Sequence, residues 1–301
     1  MTRLWSNGRM LLALAMLLWA GSIVTGRAAA GLIPPALFTA IRWGGALLLA
    51  APFAWPHLRR DWPALRARWW LPALLGLLGV AIYNSLVYRG LHDTTAVNAL
   101  LLQSATPLLV LVAALLLFGD RPSLLQVVAI LVSLSGVVVI SAQGSVAVLE
   151  QLRFNPGDVL VLIAVAAYAV YGTILRLKPA VHPLSLLVSS MAVGVVVLVP
   201  LAWAEAAGGA RLIVTPLSLA CLVYAVVMAA FLAYLCFNRG VELVGAAAAG
   251  QFTHLMPVFG VVLAVLFLGE RLHPYHLAGI GLIAAGLWLA DRPVSRPSRP
   301  A

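Results

Sequence analysis

Arg42 is the one charge that stands well inside a long apolar run of this 301-residue chain. A guanidinium in that setting costs about 2.5–3.5 kcal/mol on membrane-insertion scales and normally faces protein or water. It could serve as counter-charge to a substrate carboxylate. It could equally clamp backbone carbonyls of neighbouring helices, or snorkel to the near interface. Pro107 and Pro257 also fall in the middle of apolar runs. Each removes a backbone donor and crowds the carbonyl four residues earlier, here Gln103 and Thr253. The pair therefore predicts freed carbonyls able to take a substrate amine, hinges for bending, or static kinks of the kind membranes tolerate.

Polar residues recur around these positions at helical spacing. Thr95, Asn98, Gln103 and Thr106 share an arc of about 140° at 100° per residue. Trp19 and Ser22 are three apart, as are Tyr168 and Tyr171, and Gln251 and His254. Asn84 and Tyr88 are four apart, and Tyr234 and Asn238 repeat the same two types in exchanged order. Lipid penalises such faces, so they are expected to point inward, either as hydrogen-bonding glue between helices or as the lining of a cavity. A lining of Trp and Tyr combines apolar bodies with polar tips and suits neutral amino acids, aromatic ones included. The substrate-binding candidates are Trp19, Ser22, Arg42, Asn84, Tyr88, Asn98, Gln103, Tyr168, Tyr171, Tyr234, Asn238, Gln251 and His254, with Pro107 and Pro257 as hinge candidates. His254 doubles as a candidate proton carrier.

Catalytic chemistry is not written in the chain. It has no HExxH, no GxSxG and no Asp-rich motif, so no catalytic residue, metal ligand or cofactor is predicted. All nine acidic residues fall in loops or at the ends of apolar runs. No carboxylate is therefore placed where it could exchange a proton for a cation inside an apolar run.

The elements that must carry these residues follow from composition. The chain is 63% hydrophobic and 9% charged, against about 25% charged in a soluble domain. That excludes a soluble enzyme, a nucleic-acid binder and a disordered chain; the expected surroundings are membrane lipid. A helix needs about 20 apolar residues to cross a bilayer. Ten runs meet or approach this, at 9–26, 36–55, 69–88, 95–118, 124–141, 157–176, 184–203, 215–237, 245–268 and 275–290. The tail, 291–301, is polar, Pro-rich and expected to be a disordered cytoplasmic end. The first run also has the flanks of a cleavable signal peptide, but it takes part in the repeat described next. Cys221 and Cys236 lie about 22 Å apart on one helix, too far for a disulfide, and are expected to pack.

Alternate loops divide the basic residues unequally. One set holds 13 (Arg3, Arg9, Arg59, Arg60, Arg66, Arg68, Arg121, Arg176, Lys178, Arg239, Arg292, Arg296, Arg299) and the other 5 (Arg27, Arg89, Arg153, Arg211, Arg271). The positive-inside rule then places both termini in the cytoplasm. The net charge of +10 is largely this signature and does not call for nucleic acid.

The chain also repeats itself. Arg89-Gly90, Pro107, Gly119-Asp120-Arg121 and Gly136 recur 150 residues later as Arg239-Gly240, Pro257, Gly269-Glu270-Arg271 and Gly286, with 12 identities in the 48 positions from 89 to 136. The front halves match more weakly at offsets of 148 or 149, as in Arg27 with Arg176, Pro34 with Pro183, and Trp55 with Trp203. Five runs per copy, an odd number, would insert the second copy upside down. Inverted repeats are a common plan of secondary transporters, with the substrate near the midplane.

Leu18-Trp19-Ala20-Gly21-Ser22, Ala40-Ile41-Arg42-Trp43 and the two Pro-to-Gly-acid-Arg blocks resemble the drug/metabolite transporter superfamily, in its ten-span group with two EamA-type domains. The resemblance covers nearly the whole chain. It implies an all-α integral membrane protein, ten transmembrane helices forming two inverted five-helix repeats (1–150 and 151–290) around a central cavity. It also implies a carrier of amino acids or similar small metabolites in the bacterial inner membrane, most similar to exporters of amino acids, including aromatic ones. Asp120 departs from the Glu usual in that family. The oligomeric state is left open, and a monomer is compatible with the plan.

Overall fold

The computed structural model describes residues 5–120, 123–145, 155–245, 252–253 and 255–290, and among them every regular element is helical. We number the helices α1 (Gly8–Ala29), α2 (Pro35–Ala67), α3 (Trp70–Gly90), α4 (Ala96–Gln103), α5 (Thr106–Phe118), α6 (Leu124–Ser141), α7 (Pro156–Ile174), α8 (Pro183–Ala207), α9 (Pro216–Val244), α10 (Leu255–Leu268) and α11 (Pro274–Ala290). Six of them (α1, α2, α3, α7 with its 3-10 extension to Leu177, α8 and α9) are long and apolar enough to cross a membrane. Helices α4 and α5 pass the same test as one broken span bent by 44°. The predicted tail and the candidates Gln251 and His254 lie outside the described residues.

The starts of the helices follow from local chemistry. Ser123 and Gln126 form a capping box at α6, and Thr215 and Ser218 another at α9, satisfying amide protons that the first turn leaves open. Asn155 caps α7, with Pro156 in the first helical position, where its missing N–H is no loss. Gly119, at φ +71°, ends α5 in the left-handed conformation. Helix α2 departs from the sequence expectation. Its apolar run was expected to stop at 55, yet the helix continues to Ala67 through Pro52, Pro56 and Pro63. At about 1.5 Å per residue it outreaches a hydrocarbon core of about 30 Å, so its last turns carry Arg59 and Arg60.

Two carboxylates tie long helices together. Glu205, near the end of α8, accepts from the backbone N–H groups of Ala36 (3.0 Å) and Leu37 (3.1 Å) at the start of α2. Asp61, near the end of α2, accepts from His182 N (2.8 Å) and Ser185 Oγ (2.7 Å) at the start of α8. Each places a negative charge on a helix N-terminus. Burial, and then the stacked His57 ring 3.7 Å away, push the His182 imidazole below its ordinary pKa. Its Nδ1 accepts the Leu184 N–H at 3.2 Å. Replacing Asp61 with alanine removes this cap. The expected result is a measurable fall in the melting temperature of the purified protein, because the two donors lose a charged acceptor.

Small residues set the closest helix approaches. A Cβ added at Gly90 would lie 2.8 Å from the Gly157 carbonyl oxygen, where α3 meets α7. Where α1 meets α9, a Cβ at Gly8 would lie 3.3 Å from Gly240 O, and one at Gly240 would lie 3.2 Å from Gly8 O. Helices α6 and α11 cross through Gly136 and Gly279 and again through Ala129 and Gly286. With no hydrophobic drive between helices in lipid, such small-residue contacts carry van der Waals packing. Helix α1 is fully integrated: Leu12, Ala15, Met16 and Ala20 are 0% exposed. Cys221 and Cys236 are free and buried.

Candidate functional site

Helices α1, α2, α3, α4, α5, α7, α9 and α10 enclose a cavity of about 310 Å³. Arg42 lies on its wall and is 6% exposed. Its Nη1 donates to Asn84 Oδ1 at 3.2 Å and to the Tyr88 hydroxyl. Tyr88 OH in turn shares a 2.7 Å hydrogen bond with Ser22 Oγ. One network thus joins α2, α3 and α1. Asn84 is anchored independently, since its Nδ2 donates to Gly79 O (2.9 Å) and Val80 O (3.0 Å). Arg42 therefore binds side chains rather than the backbone carbonyls one alternative expected. At 6% exposure it does not snorkel.

Aromatic rings make up much of the remaining wall. Trp19 stands edge-on to Tyr234 at 5.1 Å between centroids and donates its Nε1 to Ala229 O at 3.1 Å. Tyr83 and Tyr168 are 4.7 Å apart. Offset and edge-on rings at such spacings add to simple burial. Tyr83 donates to Gln103 Oε1 at 2.5 Å, and Gln103 Nε2 donates to Ala99 O at 3.1 Å.

The sequence candidates separate in space. Trp19, Ser22, Arg42, Asn84, Tyr88, Gln103, Tyr168 and Tyr234 all line the cavity, together with Pro107 and Pro257. Asn98, Tyr171 and Asn238 are not on its described lining. Asn98 faces away, donating to Asp158 Oδ2 (3.2 Å) and pairing with His276 Nε2 (2.9 Å). Asp158, 0% exposed, also accepts from Thr94 Oγ1. This buried cluster joins α4, α7 and α11, and Thr95 caps the start of α4 by accepting from Asn98 N. Tyr171 stacks on Tyr168 at 5.1 Å and would meet any side chain placed at Gly79.

Pro107 corrects a second expectation, because it does not kink a continuous helix. The chain breaks at Ser104–Ala105, and Pro107 lies in the first turn of α5, where the missing N–H is tolerated. The carbonyl of Gln103, expected to be free, accepts from Thr106 Oγ1 at 2.5 Å. Pro257 likewise lies in the first turn of α10, and Thr253 O accepts from Met256 N at 3.1 Å.

Sequence reasoning missed Trp43, Tyr83, Met16 and Met256, all on the lining. Trp43 directly follows Arg42 and could have been found from that adjacency. Tyr83 directly follows a π-helical stretch, Gly76–Ile82, and α9 has its own at Tyr224–Leu232. Each wide turn changes which residues share a face.

The family described as the EamA-like transporter family matches residues 6–142 and again 155–290. "Uncharacterized transporter YyaM" of Bacillus subtilis is 26% identical over 74% of this chain and 73% of its own. "Uncharacterized transporter YetK" of the same species is 25% identical over 92% and 84%. The "Probable terminal-alkyne amino-acid exporter" of Streptantibioticus cattleyicolor is 28% identical over 73% and 72%. One crystal structure, 19% identical, superposes with a TM-score of 0.58 over 95% of this chain and 98% of its own, which shows a common fold. These relatives are transporters and not enzymes, consistent with a multi-pass membrane protein that moves a small molecule among lipids. The chain belongs to the EamA-like transporter family.

Proposed function

We propose that the protein is a secondary carrier that exports amino acids, neutral or aromatic ones among them, or similar small metabolites across the bacterial inner membrane. The single observation that carries this reading is the cavity itself. It is an aromatic-walled chamber with one buried guanidinium, enclosed by helices from both halves of the chain. It is large enough to fall within the range of small-molecule sites, about 300–1,000 Å³. An amino-acid exporter among the relatives is consistent with it.

Ten spans, with α4 and α5 counted as one, make two five-helix repeats, 1–150 and 151–290, with both termini cytoplasmic. Two separate family matches support the repeat. So do reciprocal contacts, in which a pair of residues in one place has its repeat mates in another. The approach of Gly90 to Gly157 mirrors that of Gly240 to Gly8 at offsets of 150 and 149. Gly136 meets Gly279 while its mate Gly286 meets Ala129. Alternating access then follows from one repeat rocking against the other, with the break before Pro107 and its repeat mate Pro257 as hinges. The described cavity lining holds no Asp or Glu, which favours movement down a gradient without proton coupling.

Purified protein in liposomes loaded with a labelled amino-acid panel tests this. At least one neutral amino acid is expected to leave faster than from protein-free vesicles, and an imposed pH gradient is expected not to accelerate it. Efflux at the vesicle background for every amino acid sinks the substrate assignment. Strong acceleration by the gradient sinks the uncoupled mechanism.

A further inference from the structure

We infer that the cavity holds its cargo by a carboxylate and not by an amine, so that its substrate class is apolar or aromatic monocarboxylates, with or without an amino group. The inference rests on the reading of this cavity as the transport site.

Charge on the described wall is of one sign. Arg42 is the only charged side chain on the described lining. Its two described hydrogen bonds go to neutral acceptors, and none of the ion pairs among the described residues includes it. Its Nε is buried and has no partner. The next residue, Trp43, is 2% exposed, and its Nε1 also lacks a partner. Indole and guanidinium nitrogens can only donate, so two adjacent wall residues hold unused donors. The other buried polar atoms without a partner, on Ser85, Ser133 and Arg239, belong to residues off the described lining.

Every acceptor on the described lining is neutral. Asn84 Oδ1 and Gln103 Oε1 already accept from Arg42 and Tyr83, and the hydroxyls of Tyr168 and Tyr234 carry no charge. An ammonium entering this space finds a resident cation and no carboxylate on the described lining. A carboxylate finds a buried positive charge without a counter-ion, a costly condition that an anion relieves. Charge-assisted bonds to a guanidinium are among the strongest hydrogen bonds. The rings of Trp19, Tyr83, Tyr168 and Tyr234 then surround an apolar body.

Three probes separate the chemistry: phenylalanine, 3-phenylpropanoate (the same skeleton without the amine) and 2-phenylethylamine (without the carboxylate). Binding is read as a ligand-induced rise in the melting temperature of the full-length purified protein. Transport is read in liposomes against protein-free controls. Both carboxylates are expected to raise the melting temperature and to be carried, and the amine to do neither. Binding or transport of the amine as strong as that of phenylalanine overturns the inference and leaves the carrier reading standing. Carboxylates that bind but never cross uphold the inference and remove the carrier reading. Absence of binding by either carboxylate overturns the inference. Trp43→Phe keeps the ring and deletes an N–H that no protein atom uses. It is expected to weaken 3-phenylpropanoate binding about tenfold while leaving the ligand-free melting temperature in place. Unchanged affinity removes Trp43 from the site.

Discussion

Arg42→Gln is expected to bring transport down by roughly 10- to 150-fold, the range that corresponds to losing a charged hydrogen bond of about 1.5–3 kcal/mol, while the protein still folds. The two halves of that expectation have separate causes. The transport loss follows from removing the only charge on the described cavity wall. Survival of the fold follows from redundancy around it. Asn84 keeps two backbone carbonyl partners, Gly79 O and Val80 O, and Tyr88 keeps Ser22 Oγ. The neighbouring helices are therefore still tied when the guanidinium is gone. Size-exclusion profile and melting temperature report the fold, and efflux from liposomes reports the function. Arg42→Lys retains the charge but cannot reproduce the planar fork, so it is expected to fall between wild type and Arg42→Gln. Wild-type efflux by a well-folded Arg42→Gln protein would refute the role assigned to Arg42. Collapse of both variants would make the residue a helix clamp alone.

Arg42 was legible because a lone charge in an apolar run has few structural explanations. Helix starts were placed from apolarity alone, although Ser123 with Gln126, Thr215 with Ser218, and Asn155 before Pro156 hold their capping chemistry within four residues. The departures come from places where the helix stops being regular. Asn98 and Gln103 both lie in α4, but at 100° per residue they stand about 140° apart, far enough for Gln103 to reach the cavity while Asn98 meets Asp158. The break at Ser104–Ala105 and its 44° bend fall between them and Thr106, so one wheel does not describe all three. The π-helical stretch before Tyr83 defeats a 100° wheel too. Asp158 is a span-end charge, but its burial is matched by hydrogen bonds from Thr94 and Asn98, at separations of 64 and 60 residues. No local pattern encodes partners so distant. The reach of α2 to Ala67 is not written in its apolarity, which measures the lipid that a helix crosses and not where the helix ends.

Glu270→Ala is expected to open the end of the bundle at which α4 begins. The Glu270 carboxylate accepts from Ala96 N at 2.8 Å and Val97 N at 2.9 Å, satisfying two first-turn donors while adding a negative charge at a positive helix end. The side chains packed beneath this contact are buried: Leu91, Thr94, Ala96 and Val97 are all 2% exposed or less. In a carrier that alternates between two states, a contact made in only one of them sets the balance between them. Removing it is expected to shift that balance by about 1–3 kcal/mol, or roughly 5- to 150-fold. Val97→Cys, in a chain whose Cys221 and Cys236 are replaced by alanine, reports the opening through its rate of modification by a water-soluble maleimide. The rate is expected to rise by that factor when Glu270→Ala is added. Asp120, the repeat mate of Glu270, makes a different contact: a 2.6 Å pair with Arg176 whose side chains are 43% and 54% exposed. Pairs so exposed contribute about 0–1 kcal/mol, so Asp120→Ala is expected to leave the Val97→Cys rate nearly unchanged. Equal rates with and without Glu270 would show that packing alone closes this end. An equal rise from Asp120→Ala would mean that both carboxylates act through general destabilisation and not through the contact with α4.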